Sequence, residues 1–166
     1  MLDLGLLILR TVVGLLFVGH GAQKLFGWFG GGGLGGTAAW MEQLGLRPGR
    51  LWALVAGLAE FVGGALLALG LLVPVAAVLI VAVMAAAIAL VHARNGLWAQ
   101  NGGYEYPLVN SAAAVAVALM GPGAYALEPV LGLHVPAEPV VAWGLVLAVL
   151  LAAFLGLRSA QQPAQA

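Results

Sequence analysis

The side chains best suited to chemistry in this sequence are ionisable groups that interrupt long apolar segments. Arg10 and Glu60 each lie within an apolar run, and His20 and His92 lie near the ends of two such runs. A charged side chain in hydrocarbon costs at least about 2.5 to 3.5 kcal/mol on insertion scales, so it normally faces a bundle interior and finds a partner there. These residues are therefore candidates for a proton, ligand or ion-pair site.

Two interpretations of these groups remain open from the sequence. In the structural one, Arg10 and Glu60 form a buried ion pair that fixes the register of their helices. In the functional one, polar residues at similar depth on four helices converge on a pocket for a ligand or a proton. The residues of this predicted site are His20, Lys24, Glu60, His92 and Asn110. A quinone head group would find hydrogen-bonding groups there, with aromatic walls from Trp28, Phe29 and Trp98.

Other chemistries have less support. Binding of a haem, with His20 and His92 as its axial ligands, is a weaker interpretation because the spacing of the two histidines is generic. No His and carboxylate residues cluster at the short spacing of a metal site, so no metal ligand is predicted. Ser111 and Ser159 lie in no nucleophile motif, so the catalytic residues stay unknown. The absence of cysteine excludes disulfides and thiolate sites.

The elements that must position these groups are membrane-spanning helices. Of the 166 residues, 63% are hydrophobic and 7% are charged, whereas about a quarter are charged in soluble domains. We predict one multi-pass domain over residues 1–166. Its predicted spans cover 4–24, 51–72, 74–93, 105–121 and 139–157, with a glycine-rich connector and surface helix at 26–46. Lipid requires every backbone group to be paired, and no period-2 pattern indicates a barrel, so the predicted fold class is an all-α integral membrane bundle.

The first two spans carry faces suited to close contact, because residues three and four apart share one side of a helix. The first face holds Arg10, Gly14, Phe17, Gly21 and Lys24. The second holds Ala53, Ala56, Gly57, Glu60 and Gly64. Small residues allow another helix to approach closely, so the two faces are predicted to meet.

The connector after the first span contains four consecutive glycines, Gly30 to Gly33. It lacks the lysine and hydroxyl order of a phosphate-binding loop, so it is interpreted as a flexible or re-entrant connector. Thr37 is predicted to cap a short helix that lies on the membrane surface and ends at Gly45.

The charged residues outside the spans are divided between two sides. Every basic residue except Arg10 falls on one side, namely Lys24, Arg47, Arg50, Arg94 and Arg158, whereas the other side has Asp3, Glu128, Glu138 and no Lys or Arg. The positive-inside rule predicts a cell membrane protein with an outer N-terminus and a cytoplasmic C-terminus. No Lys or Arg precedes the first apolar run, so that run is expected to be a retained helix rather than a cleaved signal. The zero net charge gives no reason to expect nucleic-acid binding.

Several motifs resemble the DoxX family. The likeness is carried by Leu9-Arg10, His20-Gly21 and Lys24-Leu25, then by residues 56–60 with Gly63-Gly64. Residues 121–128 extend it, so that it covers roughly residues 5–130. Family members usually end soon afterwards with four helices. The resemblance therefore implies a four-helix core, to which the apolar run at 140–157 adds a fifth, C-terminal spanning helix.

The family is named after a subunit of a thiosulfate:quinone oxidoreductase, and its members are linked to redox or stress systems. The resemblance thus implies a small, accessory membrane subunit that interacts with quinone, with redox-enzyme subunits or a second copy as partners besides the bilayer. The thiol chemistry of cysteine-containing relatives does not transfer to a chain without cysteine. The alternative is a small-solute or proton-coupled transporter or channel-like protein using Glu60, for which the sequence offers no inverted repeat.

Overall fold

The computed structural model describes residues 1–160, and all regular structure in this range is helical. Seven α-helices follow one another along the chain. They are α1 (Leu2–Phe26), α2 (Gly33–Gln43), α3 (Gly49–Leu69), α4 (Val73–Ala87), α5 (Glu105–Met120), α6 (Leu127–Val130) and α7 (Ala137–Ala160). A π-helical turn, Ile88–His92, continues α4. The predicted all-α bundle is confirmed.

Helices α1, α3, α4 and α5 form a ring in which each packs against two neighbours. The short helix α2 packs against α1 and α3 at one end of this ring, called here the α2 end. The opposite end, where α6 lies, is the α6 end. Helix α7 packs along the outside of the ring, mainly against α4. The structure therefore contains a four-helix core with one further long helix beside it.

Four segments are long and apolar enough to cross a membrane: α1, α3, Val73–Asn95 and α7. At 16 residues, α5 rises about 24 Å, less than the roughly 30 Å of a hydrocarbon core. It ends early because the next segment folds into the α6 end, where the Ala124 amide donates to Asp3 Oδ1 at 2.9 Å. The chain is a multi-pass membrane protein.

The predicted meeting of the first two faces is confirmed. A Cβ atom on Gly14 would lie 2.5 Å from the Gly64 carbonyl oxygen, and one on Gly21 would lie 2.5 Å from the Phe61 amide nitrogen. These contacts run in opposite directions along α1 and α3, so the two helices are antiparallel. Glycine is required here because the backbones touch.

The segment that follows α5 is fastened to the bundle through Glu128, which is 4% exposed. Its Oε2 accepts a hydrogen bond from the Val73 amide at 3.1 Å, and its own amide donates to the Gly70 carbonyl at 3.0 Å. The carboxylate thus satisfies a backbone donor at the start of α4, where negative charge is favoured.

The prediction that Thr37 caps a helix is wrong, because α2 begins at Gly33 and Thr37 lies inside it. The Thr37 hydroxyl instead donates to the Lys24 carbonyl at 3.3 Å. Met41 is 6% exposed and joins an apolar cluster with Ala53 of α3. Packing against α1 and α3 holds this glycine-rich helix at the end of the bundle.

Candidate functional site

A cavity of about 370 Å³ lies between α3 and α4 in the halves nearest the α2 end. Its lining on α4 runs from Leu79 to His92, a rise of about 20 Å. Most of the wall is apolar and comes from α2, α3, α4 and α7. This part of the wall includes Met41, Leu46, Trp52, Val55, Val83, Met84, Leu90, Leu151 and Leu155. The cavity is within the size range of small-molecule sites.

The space exists because α3 and α4 are in close contact only toward the α6 end. There Gly63 faces α4, and a Cβ atom on it would lie 3.1 Å from the Leu79 Cβ. Closer to the α2 end, both walls carry small side chains that cannot fill the gap. These are Ala56 and Ala59 on α3, and Ala82, Ala86 and Ala87 on α4.

Four of the five predicted site residues line this cavity: His20, Lys24, Glu60 and His92. Tyr106 lines it as well. Asn110 does not line the cavity, and its place in a ligand site stays a prediction. It is 5% exposed, and its amide donates to the Tyr106 carbonyl at 2.9 Å, one turn earlier on α5. The side chain of Asn110 therefore serves its own helix.

An ion pair joins α1 to α3 at this cavity. Lys24 Nζ lies 2.5 Å from Glu60 Oε2, and the two side chains are 22% and 4% exposed. It is the one ion pair within residues 1–160. Gly57, one turn before Glu60, faces Lys24 and Leu25 across the helix contact. The antiparallel register thus brings the lysine within reach of the carboxylate.

The predicted ion pair between Arg10 and Glu60 is wrong. Arg10 is 1% exposed, and its Nη1 and Nη2 donate to the carbonyls of Ala68 and Tyr125. The same register that sets Lys24 beside Glu60 sets Arg10 beside Ala68, about two turns further along α3. Arg10 ties α1 and α3 to the segment before α6, and it lies outside the cavity lining.

Hydrogen bonds define the tautomers of the two histidines. His92 Nδ1 lies 2.7 Å from the Gly102 carbonyl oxygen, and His20 Nδ1 lies 3.2 Å from Gln23 Oε1. Gln23 donates its amide to the Phe29 carbonyl at 3.3 Å, which orients its oxygen toward His20. Since both oxygens only accept, each Nδ1 carries the proton. In the neutral form of each ring, Nε2 is then a hydrogen-bond acceptor.

His92 ends the π-helical turn, together with Leu90 and Val91, which also line the cavity. Such turns occur frequently at functional sites. On the opposite wall, the ring of His20 makes edge-on contacts with Phe17 and Tyr106, each at 6.3 Å between centroids. Both imidazoles are therefore held by their neighbours.

The predicted aromatic walls are wrong. Trp28, Phe29 and Trp98 are 56%, 75% and 57% exposed, and none of them lines the cavity. Trp40, Trp52 and Tyr106 do. The sequence held a signal for Trp52, which precedes Glu60 by two helical turns and so shares its face. Trp40 lies on α2, and no spacing rule relates it to the spans.

The arrangement suits a molecule with a polar head and an apolar body. Lys24 and Tyr106 offer donors, and the two imidazoles and Glu60 offer acceptors, beside a long apolar wall. A metal ion is not what these residues fit, since no group of three His, Asp or Glu residues in the described part of the chain could hold one.

Comparison with protein families gives one match, to the DoxX family, over residues 5–93. This region covers more than half of the chain and contains all of α2, α3 and α4 and most of α1, with four of the five polar residues of the cavity. No curated protein and no solved structure matches. Helix α7 lies outside the matched region. The chain belongs to the DoxX family.

Proposed function

We propose that this chain is an accessory membrane subunit that binds a quinone of the lipid pool in the cavity between α3 and α4. The observation that carries the proposal is the composition of the lining, where five hydrogen-bonding side chains stand beside an otherwise apolar wall. A quinone ring has oxygens for those side chains and an apolar body and tail for the remaining wall.

The residues would have distinct roles toward such a ligand. The Lys24 ammonium and the Tyr106 hydroxyl donate to a carbonyl oxygen of the oxidised head, while His20 and His92 accept from a hydroxyl of the reduced head. Glu60 keeps Lys24 in place through their ion pair. Electrons would have to come from a separate redox protein, so the proposal includes a partner subunit in a redox or stress-related system.

The proposal also includes an orientation in the cell membrane. Lys24, Arg47, Arg50, Arg94 and Arg158 lie at the α2 end, whereas Asp3, Glu128 and Glu138 lie at the α6 end. The positive-inside rule favours a cytoplasmic α2 end. The N-terminus would then lie outside and the cavity would be nearer the cytoplasmic face.

A second candidate is a proton-coupled carrier of a small solute. The observation in its favour is the Lys24 and Glu60 pair, because ionisable pairs at membrane depth are typical of proton relays. In that case Glu60→Gln would abolish the uptake of solute that is driven by a pH gradient. The amount of quinone per chain would then be the same whether or not the cavity is filled.

The quinone proposal is tested by extracting the purified protein and measuring quinone per chain. Ala82→Phe fills part of the cavity, whereas Ala112→Phe places the same side chain on the exposed side of α5, outside the lining. We expect the first variant to lose most of its quinone and the second to match the wild type at equal folded yield. Equal quinone in all three proteins, or none in any, would contradict the proposal.

A further inference from the structure

The outer wall of the cavity is supplied by α7, which like α5 and α6 lies outside the family match. Helices α7 and α4 run in the same direction, since Gly144 faces Val78 and Gly156 faces Ala89. From this position Leu151 and Leu155 reach across to the cavity. Leu155 is 3% exposed and packs in one cluster with Ala53 of α3. The helix therefore covers the cleft between α3 and α4 from its outer side.

This cover is incomplete next to α3. Three lining residues are exposed: Val55 at 50%, Tyr106 at 45% and Trp40 at 41%. Val55 lies about 9 Å along α3 from Gly49, so it is within the spanning segment. An exposed apolar side chain at that depth borders hydrocarbon rather than water. The cavity is thus bordered by exposed apolar surface beside Val55, and Leu151 of α7 lines the same cavity.

Tyr106 marks a second opening of different character. It is the second residue of α5, at the α2 end of the bundle, and its ring contacts His20. The polar head site therefore has its own route to the membrane surface. A polar head group and a hydrocarbon chain would therefore leave the cavity on different sides, the first near Tyr106 and the second near Val55.

We propose that the gap between Val55 of α3 and Leu151 of α7 is a lateral portal, through which the hydrocarbon tail of the bound ligand extends into the bilayer. The inference rests on the proposed quinone site. A long polyprenyl tail exceeds a cavity of about 370 Å³, so the part outside must lie in an apolar medium. Val55 is the only exposed lining residue among residues 1–160 that lies on a spanning helix.

The test uses two quinones with the same ring, one carrying a long polyprenyl tail and one carrying only a methyl group. Val55→Trp narrows the portal. Val62→Trp is the matched control, because Val62 lies two turns further on the same face of α3, is 43% exposed and does not line the cavity. Binding is measured by equilibrium titration in nanodiscs. We expect Val55→Trp to weaken binding of the tailed quinone at least tenfold more than it weakens binding of the methyl quinone, while Val62→Trp changes neither.

Leu151→Trp narrows the portal from the α7 side and should reproduce the tail-selective loss. The test therefore does not depend on one variant folding well. Unchanged tailed-quinone binding in both portal variants would overturn the portal and leave the quinone site standing. Equal loss of both quinones would also overturn it, because the substitution would then be acting on the head site. A wild-type protein that binds neither quinone saturably would overturn the proposed function itself.

Discussion

Lys24 and Glu60 form the ion pair that joins α1 to α3, with Nζ and Oε2 2.5 Å apart. Glu60 is almost fully buried, so its charge depends on a partner that approaches from the end of α1. This relationship replaces the Arg10 and Glu60 pair that helix faces alone suggested. The two cations of α1 also have different roles, since Lys24 lines the cavity and Arg10 donates to backbone carbonyls away from it.

Removing one partner of this pair should be costly. Lys24→Met leaves Glu60 without a partner in a low-dielectric site, at a cost on the order of 3 to 5 kcal/mol. The double variant Lys24→Met with Glu60→Gln should cost less than the sum of the single changes, because contacting residues are coupled. The melting temperature in detergent measures the destabilisation of the single variants and of the double variant. Arg10→Met combined with Glu60→Gln is the control, and it should be additive.

The glycine contact between α1 and α3 should tolerate no added methyl group. Gly14→Ala would place a Cβ atom 2.5 Å from the Gly64 carbonyl oxygen, forcing the helices apart at a cost of about 1 to 3 kcal/mol. Gly19→Ala, on the same helix, meets nothing within 4 Å and should melt like the wild type. Equal melting temperatures for the two variants would show that this contact does not hold the bundle together.

The histidine tautomers predict a preference for the reduced ligand. With Nδ1 of His92 donating to Gly102, Nε2 of the neutral ring accepts from a quinol hydroxyl but has no proton to donate to a quinone carbonyl. His92→Phe should therefore weaken quinol binding about two- to tenfold, as expected for one net hydrogen bond, and change quinone binding little. His134→Phe, exposed and outside the lining, is the control. A larger loss for the oxidised form would contradict this prediction, because it would show that Nε2 carries a proton.

The orientation can be tested cleanly because the sequence contains no cysteine. Cysteines introduced at Gly32 and Ala160 should be shielded from an impermeant thiol reagent in intact cells, and one at His134 should react. Reaction at Gly32 and Ala160 with protection at His134 would reverse the proposed orientation. Opposite results for Gly32 and Ala160 would mean that an odd number of crossings is missing or added.

Much of the bundle follows from the sequence because hydropathy and helical spacing are local properties. The runs around Gly14 and Gly64 predict both the helices and their contact, and the structure has both. The rise per residue along each helix also places four of the cavity residues at a similar depth in the membrane. Helical spacing does not determine the axial offset between the antiparallel helices α1 and α3. This offset decides whether Lys24 or Arg10 meets Glu60.

The remaining differences arise from contacts between distant segments. Asn110 has the right depth, but its amide is satisfied within α5, and the rotation of α5 depends on its packing against α1 and α4. Trp40 reaches the cavity because α2 folds back onto α3, which no periodicity in the glycine-rich connector specifies. The portal depends on α7, whose position against α4 is set by Gly144 and Val78, far apart in the chain.

The most direct test of the account is a titration of the protein in nanodiscs with a quinone, followed by tryptophan fluorescence. Trp40 and Trp52 line the cavity, while the other three tryptophans do not. The account predicts a saturable loss of fluorescence that disappears in the Trp40→Phe and Trp52→Phe double variant, although that variant still takes up quinone. A loss of fluorescence that never saturates and is the same in both proteins would reflect partition into lipid alone, and would contradict a quinone site in this cavity.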